Sequence, residues 1–168
     1  MKKFCLFCLI FTFFSSICFS QQKKDALVLY RAGEYPEAIK ICEQEIIANP
    51  NNIDSYCVLC WSLVRNRQYV LAEERALQAR KVAPSDVRIM EILAEAKYYQ
   101  GKNREAIDMF QTYIANAPQN AARLGNAYYY MGEIYIRQGK YQHADISMST
   151  AVHIEPLVDL WLASSRCS

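Results

Sequence analysis

An alanine recurs along this chain at a nearly constant interval. The first two intervals are 34 residues and the third is 38, and the alanines are Ala38, Ala72, Ala106 and Ala144. A proline keeps the same interval, at Pro50, Pro84, Pro118 and Pro156. A repeat of this length predicts a stack of similar supersecondary units. Such a stack offers an extended binding surface more often than a catalytic pocket.

Each repeat unit has the pattern of two helices joined by a tight turn. Apolar residues recur at helical spacing, as at Tyr56, Leu59, Cys60 and Leu63. Glycine marks the turn between the two helices in three units, at Gly33, Gly101 and Gly139. Arg67 takes that place in the second unit, where a left-handed backbone is strained for a residue with a side chain. We therefore predict an all-α solenoid with units at about 21–52, 53–86, 87–120 and 125–158.

The recurring alanines have a packing explanation. Where the two helices of a hairpin cross closely, only small side chains fit, and the first helix of each unit supplies a matching small residue. These residues are Ala26, Cys60, Ala94 and Gly132. A leucine at Ala72 or Ala106 would overpack the crossing and cost about 1–3 kcal/mol.

Several longer runs share the register of the repeat. They are Gly33-Glu34-Tyr35-Pro36-Glu37-Ala38, the similar run from Gly139 to Ala144, the segment Asn49 to Asn52, and the segment Tyr128 to Tyr135. Together they resemble the tetratricopeptide repeat family over about residues 23–156. The resemblance implies a concave groove, lined by the first helices, that binds extended peptides or a partner's helix. Lys97 and Glu45 depart from it, since that family usually has apolar or small residues there, and Asn103 replaces the tyrosine of the turn.

The N-terminal segment differs in composition from the rest of the chain. Lys2 and Lys3 precede an apolar run over residues 4–19, and Ser20 precedes a polar stretch. This pattern predicts a secretory signal peptide at residues 1–20, a mature repeat domain at 21–168, and a bacterial periplasm or cell envelope as its location. The alternative is an uncleaved segment that tethers the repeats to the membrane.

Charge and motifs exclude several classes of function. The chain has 19 Lys plus Arg and 17 Asp plus Glu, so loss of Lys2 and Lys3 leaves 17 of each and no net charge for binding nucleic acid. His143 and His153 are ten residues apart, too far to form a metal pair on one helix turn. No glycine-rich phosphate loop or nucleophile motif is present. We therefore predict no enzyme activity, no cofactor and no metal.

The cysteines suggest one competing hypothesis. Cys57 and Cys60 form a Cys-x-x-Cys motif, which is redox-active in a thioredoxin setting but here falls on a helix without a βαβ pattern. Cys42 on the preceding helix is close enough in sequence for a disulfide with either. The interpretation of Cys60 as a small core residue competes with a disulfide and with a thiol-redox or metal-handling role.

Two further segments have open interpretations. The longer last interval places four extra residues around Asn120 to Leu124, which form either a helix extension or a kinked loop. We interpret them as a tolerated surface insertion, with a functional spacer as the alternative. A short apolar helix at 157–165 is predicted to cap the fourth unit through Leu157, Leu160 and Trp161. Its alternative is a sticky end that supports self-association.

A set of residues on the first helices is predicted to line the groove, one step around each helix from the packed face. Its members are Asp54, Cys57, Trp61, Arg65, Arg88, Glu91, Glu95, Tyr98, Tyr99, Asn126, Tyr129, Glu133 and Arg137. Tyr128 and Tyr135 are assigned to the core instead. Tyrosine and tryptophan bury much area at low entropic cost, so they are frequent in binding hot spots.

The predicted groove is aromatic and acidic. Glu91, Glu95 and Glu133 replace the basic residues with which the resembled family holds a C-terminal carboxylate. Charge complementarity then favours a neutral or basic segment with apolar anchors. The sequence as a whole predicts an exported, non-catalytic scaffold or adaptor that binds another protein.

Overall fold

The computed structural model describes residues 25–154, and all of its regular structure is α-helical. The eight helices of this range are α1 Ala26–Arg31, α2 Tyr35–Ala48, α3 Ile53–Arg65, α4 Tyr69–Val82, α5 Val87–Tyr99, α6 Asn103–Asn116, α7 Leu124–Arg137 and α8 Tyr141–Ile154. They pack as four sequential hairpins, which confirms the all-α repeat class. The predicted signal peptide, Pro156 and the predicted capping helix at 157–165 lie outside the described residues.

Local sequence explains where the helices begin. Asp25, Asn52 and Asp86 precede α1, α3 and α5, and each side chain accepts a hydrogen bond from a backbone N–H of the first turn. Such a cap satisfies one of the otherwise unpaired donors at a helix start. The prolines Pro50 and Pro84 follow two residues after α2 and α4 end, where they prevent the helix from continuing.

The turns inside the hairpins require a left-handed backbone. Gly33, Gly101 and Gly139 have φ angles of 81°, 74° and 70°, which glycine adopts without steric cost. Arg67 has a φ angle of 59° at the equivalent turn. The strained arginine expected from the sequence is therefore confirmed.

The helices form two layers. The odd-numbered helices pack against one another along the stack, α1 on α3, α3 on α5 and α5 on α7. The even-numbered helices of residues 25–154 make no comparable contacts among themselves, so their layer is spread apart. We call the side formed by α1, α3, α5 and α7 the inner face, since it is the concave side of the stack.

Small residues sit at the helix crossings, as the repeat predicts. Ala38, Ala72 and Ala106 are completely buried. A Cβ atom added at Gly132 of α7 would lie 2.9 Å from both Cε and Cγ of Met148 on α8. The last hairpin therefore crosses at the distance that only a glycine allows.

Two of the polar departures from the repeat pattern, Lys97 and Glu45, are paired, whereas the buried Oδ1 of Asn103 has no hydrogen-bond partner among residues 25–154. Ser55 Oγ donates to Glu45 Oε2 at 2.7 Å. Lys97 Nζ donates to Glu73 Oε1 at 2.7 Å and also pairs with Glu105. Burial disfavours the charge of Glu73, but hydrogen bonds from the neighbouring lysines and Gln100 outweigh it and lower its pKa to about 2.

Most of the extra residues of the last interval form a loop, since the connection 117–123 has seven residues where 49–52 and 83–86 have four, and the remaining one lengthens α7. The first helices α3 and α5 have 13 residues and α7 has 14. The insertion lies at 117–123, between the end of α6 and Leu124 at the start of α7. Among the helices of residues 25–154, none has the length and apolar character needed to cross a bilayer.

Candidate functional site

Most residues predicted to line the groove lie on the inner face with some accessible surface. Positions spaced three or four residues apart share one face of a helix, which aligns each helix's members along the stack. Asp54, Tyr99 and Arg137 are exposed. Six others are partly buried, namely Trp61, Arg65, Arg88, Tyr98, Tyr129 and Glu133, and so is Asn126. Their role in binding stays a prediction.

The structure corrects three members of that set. Glu91 and Glu95 have relative exposures of only 2% and 1%, and Cys57 is fully buried. The reason is that α5 packs directly between α3 and α7, so residues near the middle of the inner face are covered by the neighbouring helices. The groove therefore does not present these two carboxylates to a partner, and the predicted acidic character is wrong at these positions.

An arginine from the insertion pairs with both buried carboxylates. Arg123 Nε donates to Glu91 Oε1 at 2.7 Å, and Arg123 Nη2 donates to Glu95 Oε2 at 2.6 Å. Burial opposes the charge of the guanidinium, but the two carboxylates outweigh it and raise the pKa of Arg123. The insertion thus places a cation on the inner face, and the choice between a tolerated surface insertion and a functional spacer stays a prediction.

The surroundings of Glu91 disfavour the charged form of its carboxyl group. Burial raises its pKa, while Arg123 and the indole of Trp61 oppose that effect. Glu91 Oε2 and Trp61 Nε1 are both buried, and within residues 25–154 neither makes a well-aligned hydrogen bond. The indole N–H therefore assists the carboxylate only through a poorly aligned contact.

Aromatic rings form two groups on and beside the inner face, one on α1 and α3 and one on α4, α5 and α7, which together we call the aromatic row. Tyr30 and Trp61 have centroids 6.0 Å apart. Tyr99 stacks on Tyr69 at 4.8 Å, and Tyr98 lies 4.6 Å from Tyr130. Sequence reasoning missed Tyr30, Tyr69 and Tyr130 as members of this row. Tyr30 precedes Tyr98 by two repeat lengths, so the repeat register could have identified it.

The tyrosine hydroxyls are connected to the buried charges. Tyr130 donates to Glu95 Oε1 at 2.9 Å, and the hydroxyls of Tyr99 and Tyr130 are 3.2 Å apart. Arg137 Nη1 donates to the Tyr98 hydroxyl at 3.3 Å, with the guanidinium carbon 4.7 Å from the ring centroid. The accessible edge of the aromatic row is therefore held by a network and not by packing alone.

The cysteines of the described range are free thiols. Cys42, Cys57 and Cys60 are buried in the core beside α2 and α3. Burial raises the pKa of Cys42 and of Cys57 to about 12, and it also raises the pKa of Cys60. The hypothesised disulfide among them is not formed in this structure, because each sulfur fills a core position as a small apolar group.

Metal coordination needs several ligating side chains to converge. Within residues 25–154, no three His, Cys, Asp or Glu side chains are grouped so that they could hold a metal ion.

Four stacked helical hairpins with an aromatic concave face define the class of helical-repeat interaction proteins. A family model for tetratricopeptide repeats matches residues 93–144, and one for subunit 3 of the anaphase-promoting complex, or cyclosome, matches residues 31–113. Residues 93–144 thus carry tetratricopeptide repeats, and the four hairpins of residues 25–154 have the same repeat fold. This class provides scaffolds for protein–protein interaction and is typically non-catalytic.

Solved structures share the fold at low sequence identity. MamA from Desulfovibrio magneticus RS-1 is 18% identical with a TM-score of 0.67, over 78% of this chain and 72% of that one. YrrB, described as a TPR protein with an unusual peptide-binding site, is 22% identical with a TM-score of 0.67, over 84% of this chain and 71% of that one. No curated protein sequence matches the chain.

Proposed function

We propose that this protein is an exported scaffold that binds a segment of a partner protein along its inner face. The observation that carries the proposal is the aromatic row, whose tyrosine edges are accessible, with Tyr99 37% exposed. Aromatic residues with polar tips supply large contact area and directional bonds together. The peptide-binding site described for YrrB, which has a similar fold, is consistent with this use of the stack.

The charge balance of the inner face defines the chemistry of the partner segment. Arg123 pairs with both Glu91 and Glu95, and Arg88 pairs with Asp54 at 2.7 Å. The remaining accessible charges have both signs, since Arg65 and Arg137 occur with Glu133. Complementarity then favours a largely neutral segment with apolar anchors. The sequence alone predicted a neutral or basic segment, and the charge pairing on the inner face favours the neutral one.

The location of the protein is a separate proposal. The basic and apolar composition of the first twenty residues supports export to a bacterial periplasm or cell envelope. Sequencing the N-terminus of the protein recovered from cells tests it, with Gln21 as the expected first residue. Recovery of the intact N-terminus in the membrane fraction would instead support the tethered alternative.

Affinity capture from an envelope extract tests the binding proposal. The bait is the mature chain, and its comparison is the inner-face triple variant Trp61→Ala/Tyr98→Ala/Tyr129→Ala. A matched control removes exposed apolar side chains from the outer layer, as Ile47→Ala/Val70→Ala/Tyr141→Ala.

The proposal expects a protein retained by the wild type and by the outer-layer control but lost by the inner-face variant. Circular dichroism must show that each variant keeps its helical content, and the milder Tyr99→Ala variant provides a second comparison. Equal retention by all chains would place binding elsewhere and reject the inner-face proposal. The predicted C-terminal helix would then be tested by sedimentation with and without residues 157–168.

Thiol chemistry is the competing function, and the structure gives it little support. A reactive thiol is exposed and has a lowered pKa, whereas Cys42, Cys57 and Cys60 are buried with raised pKa values. We expect these three thiols to resist iodoacetamide at pH 8 in the native protein and to react after denaturation. Rapid native labelling of Cys57 or Cys60 by mass spectrometry would revive the redox function.

A further inference from the structure

In the hydrogen-bonded chain of Tyr99, Tyr130 and Glu95, the buried carboxylate of Glu95 determines which hydroxyl donates. Glu95 is ion-paired with Arg123, so its carboxylate only accepts hydrogen bonds. Tyr130 has a single hydroxyl proton and donates it to Glu95 at 2.9 Å. In the 3.2 Å contact between Tyr130 and Tyr99, the proton must therefore come from Tyr99. The Tyr99 oxygen is left with lone pairs alone and can offer a partner only an acceptor.

The neighbouring Tyr98 offers a partner a hydrogen-bond donor instead of an acceptor. The hydroxyl oxygen of Tyr98 accepts a hydrogen bond from Arg137 Nη1 at 3.3 Å. Among residues 25–154, no acceptor for the Tyr98 proton is found. Tyr98 can therefore donate to a partner, while Tyr99 can only accept. Their ring centroids lie 5.1 Å apart, so the donor and the acceptor belong to one small area of the inner face.

We propose that Tyr98 and Tyr99 together read the backbone amide groups of an extended partner segment. One residue of an extended chain presents its N–H and its C=O on the same side, as in the hydrogen-bonded pairs of antiparallel strands. Tyr99 accepts from that N–H and Tyr98 donates to that C=O. The inference rests on the proposed function, since it specifies what the inner face recognises in its partner.

The two polarities also discriminate against charged end groups. A carboxylate can only accept, so it would leave the Tyr99 oxygen facing another acceptor. An ammonium group can only donate, so it would leave the Tyr98 proton unpaired. Because an unpaired buried polar group is costly, a neutral segment bound through its main chain fits the pair best. This agrees with the near balance of charge on the inner face.

A peptide selection supplies a defined probe. A displayed library of random 12-residue peptides is selected on the wild-type chain and depleted on the inner-face triple variant described above. One selected peptide is then synthesised with a single backbone N-methyl group at each position in turn. N-methylation removes one donor and leaves the side chains unchanged, so it tests the amide directly.

The expected result is a coupled loss. In the wild type, one N-methyl position should weaken binding by about five- to tenfold, the effect of one hydrogen bond. The Tyr99→Phe variant should bind the unmodified peptide as weakly as the wild type binds the N-methylated one. The same N-methyl group should then weaken the binding of Tyr99→Phe little further. Tyr98→Phe should weaken binding independently of that N-methyl group. Tyr141→Phe, on the outer layer, serves as the matched control with unchanged affinity.

A further variant tests the fixed direction of the chain. Tyr130→Phe removes the acceptor for the Tyr99 proton, which frees Tyr99 to donate. Tyr99 keeps its lone pairs and still accepts from the amide N–H, so the cost of the critical N-methyl group should be unchanged, while the discrimination against a carboxylate ligand should fall. Helical content by circular dichroism confirms that this partly buried change leaves the fold intact, and Tyr99→Phe tests the proposal without it.

Three outcomes would overturn the amide-reading pair. They are equal binding of the peptide by wild type, Tyr98→Phe and Tyr99→Phe, an N-methyl cost that is the same in wild type and Tyr99→Phe, and a library that yields no peptide dependent on the inner face. None of these rejects the proposed scaffold function, which the envelope capture judges on its own. If the inner-face triple variant captured the same protein as the wild type, both the scaffold proposal and the amide-recognition proposal would be rejected.

Discussion

Removing Arg123 should destabilise the fold far more than a surface arginine does. Its guanidinium contacts Glu91 and Glu95 at 2.7 and 2.6 Å, and those side chains are only 3% and 1% exposed. Taking one partner out of a buried ion pair leaves uncompensated charge and costs roughly 3–5 kcal/mol. A domain of this size has about 5–15 kcal/mol of stability in total. Arg123→Met should therefore lose a large share of it at pH 8.

The loss should depend on pH in a definite direction. Burial already raises the pKa of Glu91 above its ordinary value, and Arg123 opposes that effect. A group with a raised folded-state pKa contributes stability below its unfolded pKa, and this contribution is lost as the pH rises through the folded value. Without Arg123 the rise is larger, so the variant's deficit should be greatest at pH 8 and smaller near pH 5.

Urea unfolding followed by circular dichroism at both pH values provides the measurement. Arg104→Met changes an exposed arginine of α6 and should cost less than about 0.5 kcal/mol. Combining Arg123→Met with Glu91→Gln and Glu95→Gln removes the buried charges as well and should recover at least half of the loss. A deficit below about 1 kcal/mol at pH 8, or one equal at pH 5, would refute the argument.

Three other changes have defined outcomes in the same assay. Arg67→Gly should raise stability by about 1 kcal/mol, because glycine relieves the left-handed turn at the expense of some unfolded-state entropy. Gly132→Ala should lower it by about 1–3 kcal/mol, since the new Cβ would meet Met148 at 2.9 Å, and Met148→Ala in the same chain should return part of that loss. The pKa of Glu73 is lowered from 4.5 to about 2, so its contribution is present above pH 4.5 and disappears as the pH falls towards 2. Between pH 5 and pH 2 the wild type should therefore lose about 3 kcal/mol more than Glu73→Gln.

For each of these three predictions, one experimental result would contradict the reasoning. An Arg67→Gly chain less stable than the wild type would mean that the arginine side chain makes a contact worth more than the strain. Additive effects of Gly132→Ala and Met148→Ala would show that the two do not meet. A difference between wild type and Glu73→Gln that stays constant with pH would remove the basis for the lowered pKa.

Much of the fold was predictable because its determinants are local and repeated. The 34-residue interval fixes the number and order of the hairpins, and the glycines fix the turns. Even the exceptional Arg67 was predictable, since the same turn needs the same backbone in every unit. Gly132 was assigned to a close crossing for the same reason. The departures at Lys97 and Glu45 were recognised, but their partners were not, because Glu73, Glu105 and Ser55 lie on other helices.

The candidate site was predictable only as a set of helix positions. Helical spacing predicts that Tyr98, Tyr99 and Arg137 line the inner face, and all three keep accessible surface. It does not show that α5 is enclosed by its neighbours and that Glu91 and Glu95 are therefore buried. Nor does it show that Arg123, which is 32 and 28 residues away from them, joins them in space.

The sequence by itself determined the repeat, the helix ends, the turns and the face of each helix that points inward, because these depend on neighbours within one unit. Only the tertiary structure decided which inward residues stay accessible, which charges cancel, and in which direction the tyrosine protons point. Those properties arise where separate units meet. The physical reason is that burial and hydrogen-bond partners depend on distances between helices, and a one-dimensional pattern does not contain those distances.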